Sequence, residues 1–153
     1  MKLEFLSENP KAIPVLARWY FDEWGHIGKG RTLEDFTQGL HSYLNTDKIP
    51  LIVLAVEGTE ILAAAQLKYR EMDRYPEKEH WLGGVYVCRK HRGRNIAGKV
   101  INRVISVAEK LGVDKLYLQT ENLSGGLYSR LGWQPLECVN NLGIDVLVME
   151  RQI

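Results

Sequence analysis

The stretch richest in possible chemistry is Val85-Tyr86-Val87-Cys88-Arg89-Lys90-His91-Arg92-Gly93-Arg94-Asn95-Ile96-Ala97-Gly98-Lys99-Val100. Four basic side chains, Arg89, Lys90, Arg92 and Arg94, fall within six residues of a chain whose formal net charge is only +1. An apolar run enters this turn and an amphipathic helix leaves it. Ile96, Val100, Val104 and Ala108 make one helical row, thickened by Ile101 and Ile105. The first turn of a helix carries N–H groups without intrahelical partners and the positive end of the helix dipole. Gly93, Ala97 and Gly98 are small enough to let an anion reach those groups. The combination predicts a diphosphate cradle, and the cluster of basic side chains supports it. A basic turn that simply faces solvent is the plainer reading, and the glycines and the helix start weigh against it.

Spacing separates the nucleotide alternatives. Gly93 to Lys99 fits G-x-x-x-x-G-K, but the next residue is Val100, where a phosphate-binding P-loop needs Ser or Thr for magnesium. No apolar run ends in the aspartate of a Walker B strand. The dinucleotide fingerprint G-x-G-x-x-G is absent.

A second constellation lies downstream. Leu116-Tyr117-Leu118-Gln119-Thr120-Glu121-Asn122 is followed by Leu127-Tyr128-Ser129-Arg130-Leu131-Gly132-Trp133. With Arg92-Gly93-Arg94-Asn95-Ile96-Ala97 it resembles the GNAT acetyltransferases. Their acetyl-CoA loop reads R/Q-x-x-G-x-G/A, and Asn95 stands here where glycine is usual. Asparagine tolerates left-handed backbone angles well. After the loop helix that family places a strand, an asparagine-bearing splay, a short helix with a tyrosine, and Gly-Phe or Gly-Trp.

The resemblance implies a detailed site. Two strands, ending near Cys88 and Thr120, splay into a V that takes pantetheine, which pairs with the backbone of Val85, Tyr86 and Val87. The pyrophosphate lies on Arg92, Gly93, Arg94, Asn95, Ile96, Ala97, Gly98 and Lys99, with Asn122 beside the cofactor. Tyr128 faces the thioester sulfur as the acid for the leaving thiolate; its plainer reading is a core aromatic. The implied activity is transfer of an acetyl group from acetyl-CoA, as co-substrate, to a primary amine of a small molecule or peptide, without a metal. A non-catalytic CoA sensor or docking module on the same fold is the alternative, and a P-loop protein a remoter one.

The attacking amine must lose a proton, and Glu23, His26, Glu71, Glu79, His80 and Glu121 are all open candidates to take it. No spacing singles one out. The resemblance places Trp24, His26 and Trp81 against the acceptor, with Trp24 and His26 in the Gly-rich loop that runs to Arg31. Aromatic walls with a few polar groups suit a small amine or a peptide N-terminus.

The elements that must position these residues follow from pattern. A strand is predicted over Lys2–Leu6 and a helix over Asn9–Trp24, with Pro10 and Pro14 near its start. Thr32 and Asp35 form a capping box for a helix to about Leu44. Strands follow at Leu51–Glu57 and Ile61–Lys68, and the charged segment Arg70–His80 reads as a solvated connection. Trp81–Cys88 is a strand, Ile96–Leu111 a helix, Lys115–Gln119 a strand, and Gly126–Leu131 a short helix. Gln134–Val139 and Ile144–Glu150 pair as a hairpin across Asn140-Asn141-Leu142-Gly143. The order β-α-α-β-β-β-α-β-α-β-β predicts a mixed α+β (α/β) domain, with one sheet and helices on both its faces.

The 153 residues suit one domain over residues 1–153, large enough to bury about 70% of its unfolded surface. Near-neutral charge gives no global field to recruit nucleic acid or an anionic membrane. No apolar stretch reaches the ~20 residues of a membrane span. No signal-peptide pattern opens the chain, so a cytoplasmic protein, monomer or homodimer, is expected. Cys88 and Cys138 read as reduced, buried small hydrophobes.

Overall fold

The computed structural model describes residues 1–153. Seven strands form one sheet: β1 (Lys2–Phe5), β2 (Leu51–Glu57), β3 (Glu60–Tyr69), β4 (His80–Val87), β5 (Lys115–Thr120), β6 (Gln134–Asn141) and β7 (Ile144–Gln152). The helices are α1 (Ile13–Trp24), α2 (Leu33–Leu40), α3 (Ile96–Lys110) and α4 (Gly126–Arg130). The spatial order is β1-β2-β3-β4-β5-β7-β6. Only β4 and β5 run parallel, because α3 carries the chain across between them.

β2 shows why the sheet has two covered faces. Leu51, Val53 and Ala55 join the cluster under α3, whereas Ile52, Leu54 and Val56 join the cluster under α1 and α2. A strand buried on both sides needs a continuous apolar run, and Leu51 to Val56 supplies it. The row Ile96, Val100, Ile101, Val104 and Ala108 anchors α3, and Ile13, Leu16, Ala17 and Tyr20 anchor α1.

The expected elements recur in order, with local differences. Leu6–Glu8 and Pro10–Ala12 wind as 3₁₀ turns, so α1 begins at Ile13. Pro14 falls in its first turn, where a missing N–H removes no helical bond. The Thr32–Asp35 capping box forms, with Asp35 N donating to Thr32 Oγ1 at 3.1 Å and Thr32 N to Asp35 Oδ2 at 2.9 Å. α2 stops at Leu40, and a 3₁₀ turn over His41–Tyr43 satisfies its last carbonyls.

Three expectations need correction. The segment from Arg70 to Glu79 is not merely solvated. Met72 and Tyr75 turn inward and pack with Trp81, Val146 and Val148, while the charges between them stay outside. Cys138 is exposed on the edge strand β6, and Cys88 is half-buried; both are free thiols. The hairpin turn is also tighter than four residues. β6 and β7 pair through Asn141↔Ile144, leaving Leu142 and Gly143, both at positive φ (54° and 87°), as a two-residue turn.

Candidate active site

β4 and β5 share one registered pair, Trp81↔Tyr117, and diverge beyond it. β5 stays paired with β7 through Thr120↔Leu147, so the edge of β4 past Trp81 is open. On its other edge β4 pairs with β3 out of step. Ala64 faces Tyr86 and Gln66 faces Gly83, so β4 carries an extra residue at Gly84-Val85. This bulge is pinned: Tyr20 of α1 donates its hydroxyl to Gly84 O at 2.7 Å. Gly84 has φ +51°, and a Cβ there would stand 2.5 Å from Gln66 Nε2. Bulges of this kind re-aim backbone groups beside functional sites.

The open edge leads to the start of α3. Asn95 is its N-cap in left-handed conformation (φ 59°, ψ 28°), with no side-chain capping bond. The N–H groups of Gly93 through Gly98 find no acceptor within the chain. No acidic residue occupies the first turn. The cationic side chains are less free than the sequence implied. Arg92 folds back, its Nε donating to Val87 O at 3.0 Å and its guanidinium lying 5.3 Å from the Tyr86 ring. Arg94 reaches Glu57 at 3.2 Å and His91 Nδ1 at 2.9 Å, and Lys90 pairs with Glu60 at 2.7 Å. Lys99 is exposed without an ion pair. Backbone amides, rather than Arg92 or Arg94, are what this loop presents.

A cavity of about 660 Å³ opens on the splay. Tyr20, Trp24, Phe36 and Tyr43 wall one side, Gln66, Glu71 and the Gly83–Val85 stretch the floor, and Gln119, Asn122, Tyr128 and the β6–β7 hairpin the other. Tyr128 is half-buried on α4, in edge contact with Trp133 at 6.3 Å between ring centroids, and its hydroxyl bonds no protein group. Burial, followed by the charge of Glu71, pushes its pKa up to about 12. It therefore stays protonated, able to donate. Asn122 lines the cavity, but its Oδ1 is taken by Ser124 N at 3.1 Å and Ser124 Oγ at 2.6 Å. Its side chain thus shapes the approach to α4.

Two residues expected at the acceptor lie elsewhere. Trp81 is fully buried between Tyr75 and Tyr117, with its Nε1 donating to Lys78 O at 2.7 Å. It sits at the closed root of the splay, because that is where β4 and β5 still pair. His26 is exposed and outside the cavity lining, since the loop turns its side chain outward. Trp24 does line the cavity. Val85 is part of the lining, while Tyr86 stacks on Trp19 at 5.0 Å. Glu71, Gln66 and Tyr20 were not singled out from sequence. Gln66 is the lone polar residue of the buried run from Ile61 to Leu67, and Gly83-Gly84 interrupts a strand; both were readable signals. No group of three or more His, Cys, Asp or Glu side chains is placed to hold a metal ion.

A mixed sheet parted between two parallel strands, with a bare helix start at the parting, is a frame open to an extended ligand that ends in an anionic group. Residues 11–133 match the model of the Acetyltransferase (GNAT) family, and the chain belongs to that family. Solved structures agree in fold. A ribosomal-protein-alanine N-acetyltransferase from Brucella melitensis superposes with TM-score 0.79 at 18% identity, over 100% of both chains. An aminoglycoside 6'-N-acetyltransferase complexed with coenzyme A superposes with TM-score 0.77 at 13% identity, over 99% of this chain and 97% of that one. A GNAT family acetyltransferase from Elizabethkingia anophelis with acetyl-CoA bound has TM-score 0.55 at 21% identity, over 76% and 82%. No protein of curated function matches the chain in sequence. No helix is long and apolar enough to cross a membrane.

Proposed function

We propose that this protein transfers an acetyl group from acetyl-CoA to a primary amine of a small molecule or peptide. The observation that carries the reading is the open edge of β4 leading directly to the unbonded N–H groups of Gly93–Gly98. A pantetheine arm would pair along Val85 to Val87 as an added strand, and the pyrophosphate would lie on the helix start, contacting Arg92 to Lys99 chiefly through backbone. The groove is free of carboxylates at the helix turn, so it fits a dianionic group. Acetyl-CoA supplies an activated thioester; the chain supplies position and hydrogen bonds.

The Gly84-Val85 bulge turns backbone toward the splay, where N–H groups can stabilise a tetrahedral oxyanion. The amine lone pair forms the carbon–nitrogen bond as the carbonyl pair moves onto oxygen. On collapse the carbon–sulfur pair leaves with sulfur. Tyr128 gives sulfur its hydroxyl proton while accepting the surplus proton of the new amide nitrogen. That exchange suits a tyrosine whose pKa is about 12, because it never builds a free phenolate. A tyrosine lining the cavity with its hydroxyl unbonded to any protein group favours an enzyme over a sensor.

The test pairs binding with turnover. Acetyl-CoA at 100 times its Kd should stabilise the fold by ~2.7 kcal/mol, and desulfo-CoA by a similar amount. CoA thiol should then be released on adding an amine from a mixed panel. No thermal shift with millimolar CoA would remove the reading. A shift without thiol release would leave the sensor alternative standing.

A further inference from the structure

We propose that Glu71 receives the acceptor's ammonium group and takes its proton, and that Gln119 is the positioning residue that holds the Glu71 carboxylate in place. This rests on the amine-acceptor reading above. Six titratable side chains were open from sequence, and the cavity takes in only Glu23, Glu71 and Glu121. Glu23 and Glu121 are exposed and make no ion pair. The Glu71 side chain is only 16% exposed and held at both oxygens. Lys68 Nζ stands 3.5 Å from Oε1, and Gln119 Nε2 donates to Oε2 at 3.2 Å.

Gln119 is itself oriented. Its Oε1 accepts from Asn141 Nδ2 at 3.0 Å, which leaves the NH₂ end to face Glu71. The chain Asn141–Gln119–Glu71 thereby links the end of β6, through β5, to the segment after β3. It fixes the carboxylate beside the strand that reads the thioester. Glu71 Oε1 is 2.6 Å from where a Cβ on Gly83 would stand, immediately before the bulge. Its charge also reaches Tyr128 across the cavity. The groups facing it are Lys68 from β3, Gln119 from β5 and Tyr128 from α4. A carboxylate has about four lone-pair sites, so one ion pair and one amide leave room for an ammonium.

The proton balance is direct. The ammonium gives one proton to Glu71 as its electron pair turns to the thioester carbon, and Glu71 passes it to solvent through the open cavity. The second nitrogen proton leaves through Tyr128 as above, so one proton is released per acetyl group.

The experiment is a pH profile of kcat/KM for Glu71→Gln and Gln119→Leu. The acceptor is whichever of a simple diamine, an aminoglycoside and a peptide with a free N-terminal alanine is turned over fastest. Both variants should keep the wild-type thermal shift with acetyl-CoA. At neutral pH Glu71→Gln should lose ~10²-fold and Gln119→Leu about 10-fold. Each ratio to wild type should shrink toward a few-fold as pH approaches the amine's own pKa, ~10.4 for a simple alkylamine and ~8 for a peptide N-terminus, where the acceptor arrives neutral. A ratio that stays constant with pH would overturn the proton role and leave Glu71 as a binding group. Wild-type protein that shifts with acetyl-CoA but acetylates no amine would overturn the proposal as well. Loss of the acetyl-CoA shift in wild type would instead overturn the functional reading beneath it.

Discussion

Asn95 and Gly98 share one space: Asn95 Oδ1 lies 2.6 Å from where a Cβ on Gly98 would stand. The left-handed residue at the head of α3 therefore folds its side chain over the glycine of the first turn. The pair lies among the unbonded N–H groups of Gly93–Gly98.

Gly98→Ala should fold, because the obstructing atom is the end of a mobile side chain and alanine favours helix. The displaced Asn95 amide then crowds the anion, and CoA affinity falls. Asn95→Gly alone should be neutral or should tighten binding, since it also relieves a left-handed conformation that costs a non-glycine residue ~1 kcal/mol. The double variant Asn95→Gly/Gly98→Ala should recover much of the affinity. Gly98→Asp should abolish CoA binding with the fold intact. Calorimetry with CoA on the four variants checks this, and simple additivity of the two single changes would contradict the shared-space argument.

The bulge on β4 makes a second prediction. Tyr20→Phe removes the hydroxyl that bonds Gly84 O and should cost about 1 kcal/mol of stability. Gly84→Ala should cost more, ~1–3 kcal/mol, because φ is +51° and the new Cβ would strike Gln66. Both should lower kcat more than CoA affinity, since the helix start is untouched. Urea unfolding and steady-state kinetics measure the two effects. An unchanged kcat in Gly84→Ala would separate the bulge from the reaction.

Alkaline pH should unfold this protein early. Burial raises the pKa of Tyr20, and that of Tyr128 to about 12, from an unfolded value of ~10. A raised folded-state pKa favours the folded state fully below the unfolded value. The benefit is lost as pH climbs from ~10 through about 12, because the unfolded chain ionises first. The melting temperature should therefore decline above pH ~10. Tyr20→Phe should start lower and decline less steeply. A flat melting temperature through that range would contradict the burial of these hydroxyls.

Much of this architecture was legible because local signals agree with the fold. Thr32 and Asp35 cap α2 as their spacing required, and the two faces of α3 follow its apolar row. What the sequence hid depends on long-range placement. Trp81 reads as an available aromatic at a strand start, but its partner Tyr117 lies 36 residues away and closes the splay over it. Arg92 and Arg94 read as free cations until Val87 O and Glu57 appear beside them. Glu71 could not be told from Glu79 by pattern, because Gln119 and Asn141, which orient it, come from distant strands.

Tyr128→Phe tests the reaction most directly. The ring packs edge-on against Trp133 at 6.3 Å, and the substitution keeps it. The hydroxyl bonds no protein group, so its loss leaves no buried partner unsatisfied, and stability should hold or rise slightly. CoA Kd should stay within about three-fold, under ~1 kcal/mol. On the proposed mechanism, what disappears is a hydrogen bond that strengthens as charge builds on sulfur, together with the path that returns the nitrogen's proton. Interactions made mainly in the transition state show in turnover rather than in binding, so kcat should fall ~10²-fold. Steady-state kinetics on an accepted amine, beside calorimetric CoA binding, read both quantities. An unchanged kcat would reduce Tyr128 to a packing residue of α4. Lost CoA affinity with a lowered melting temperature would reveal a packing defect and count equally against the acid role.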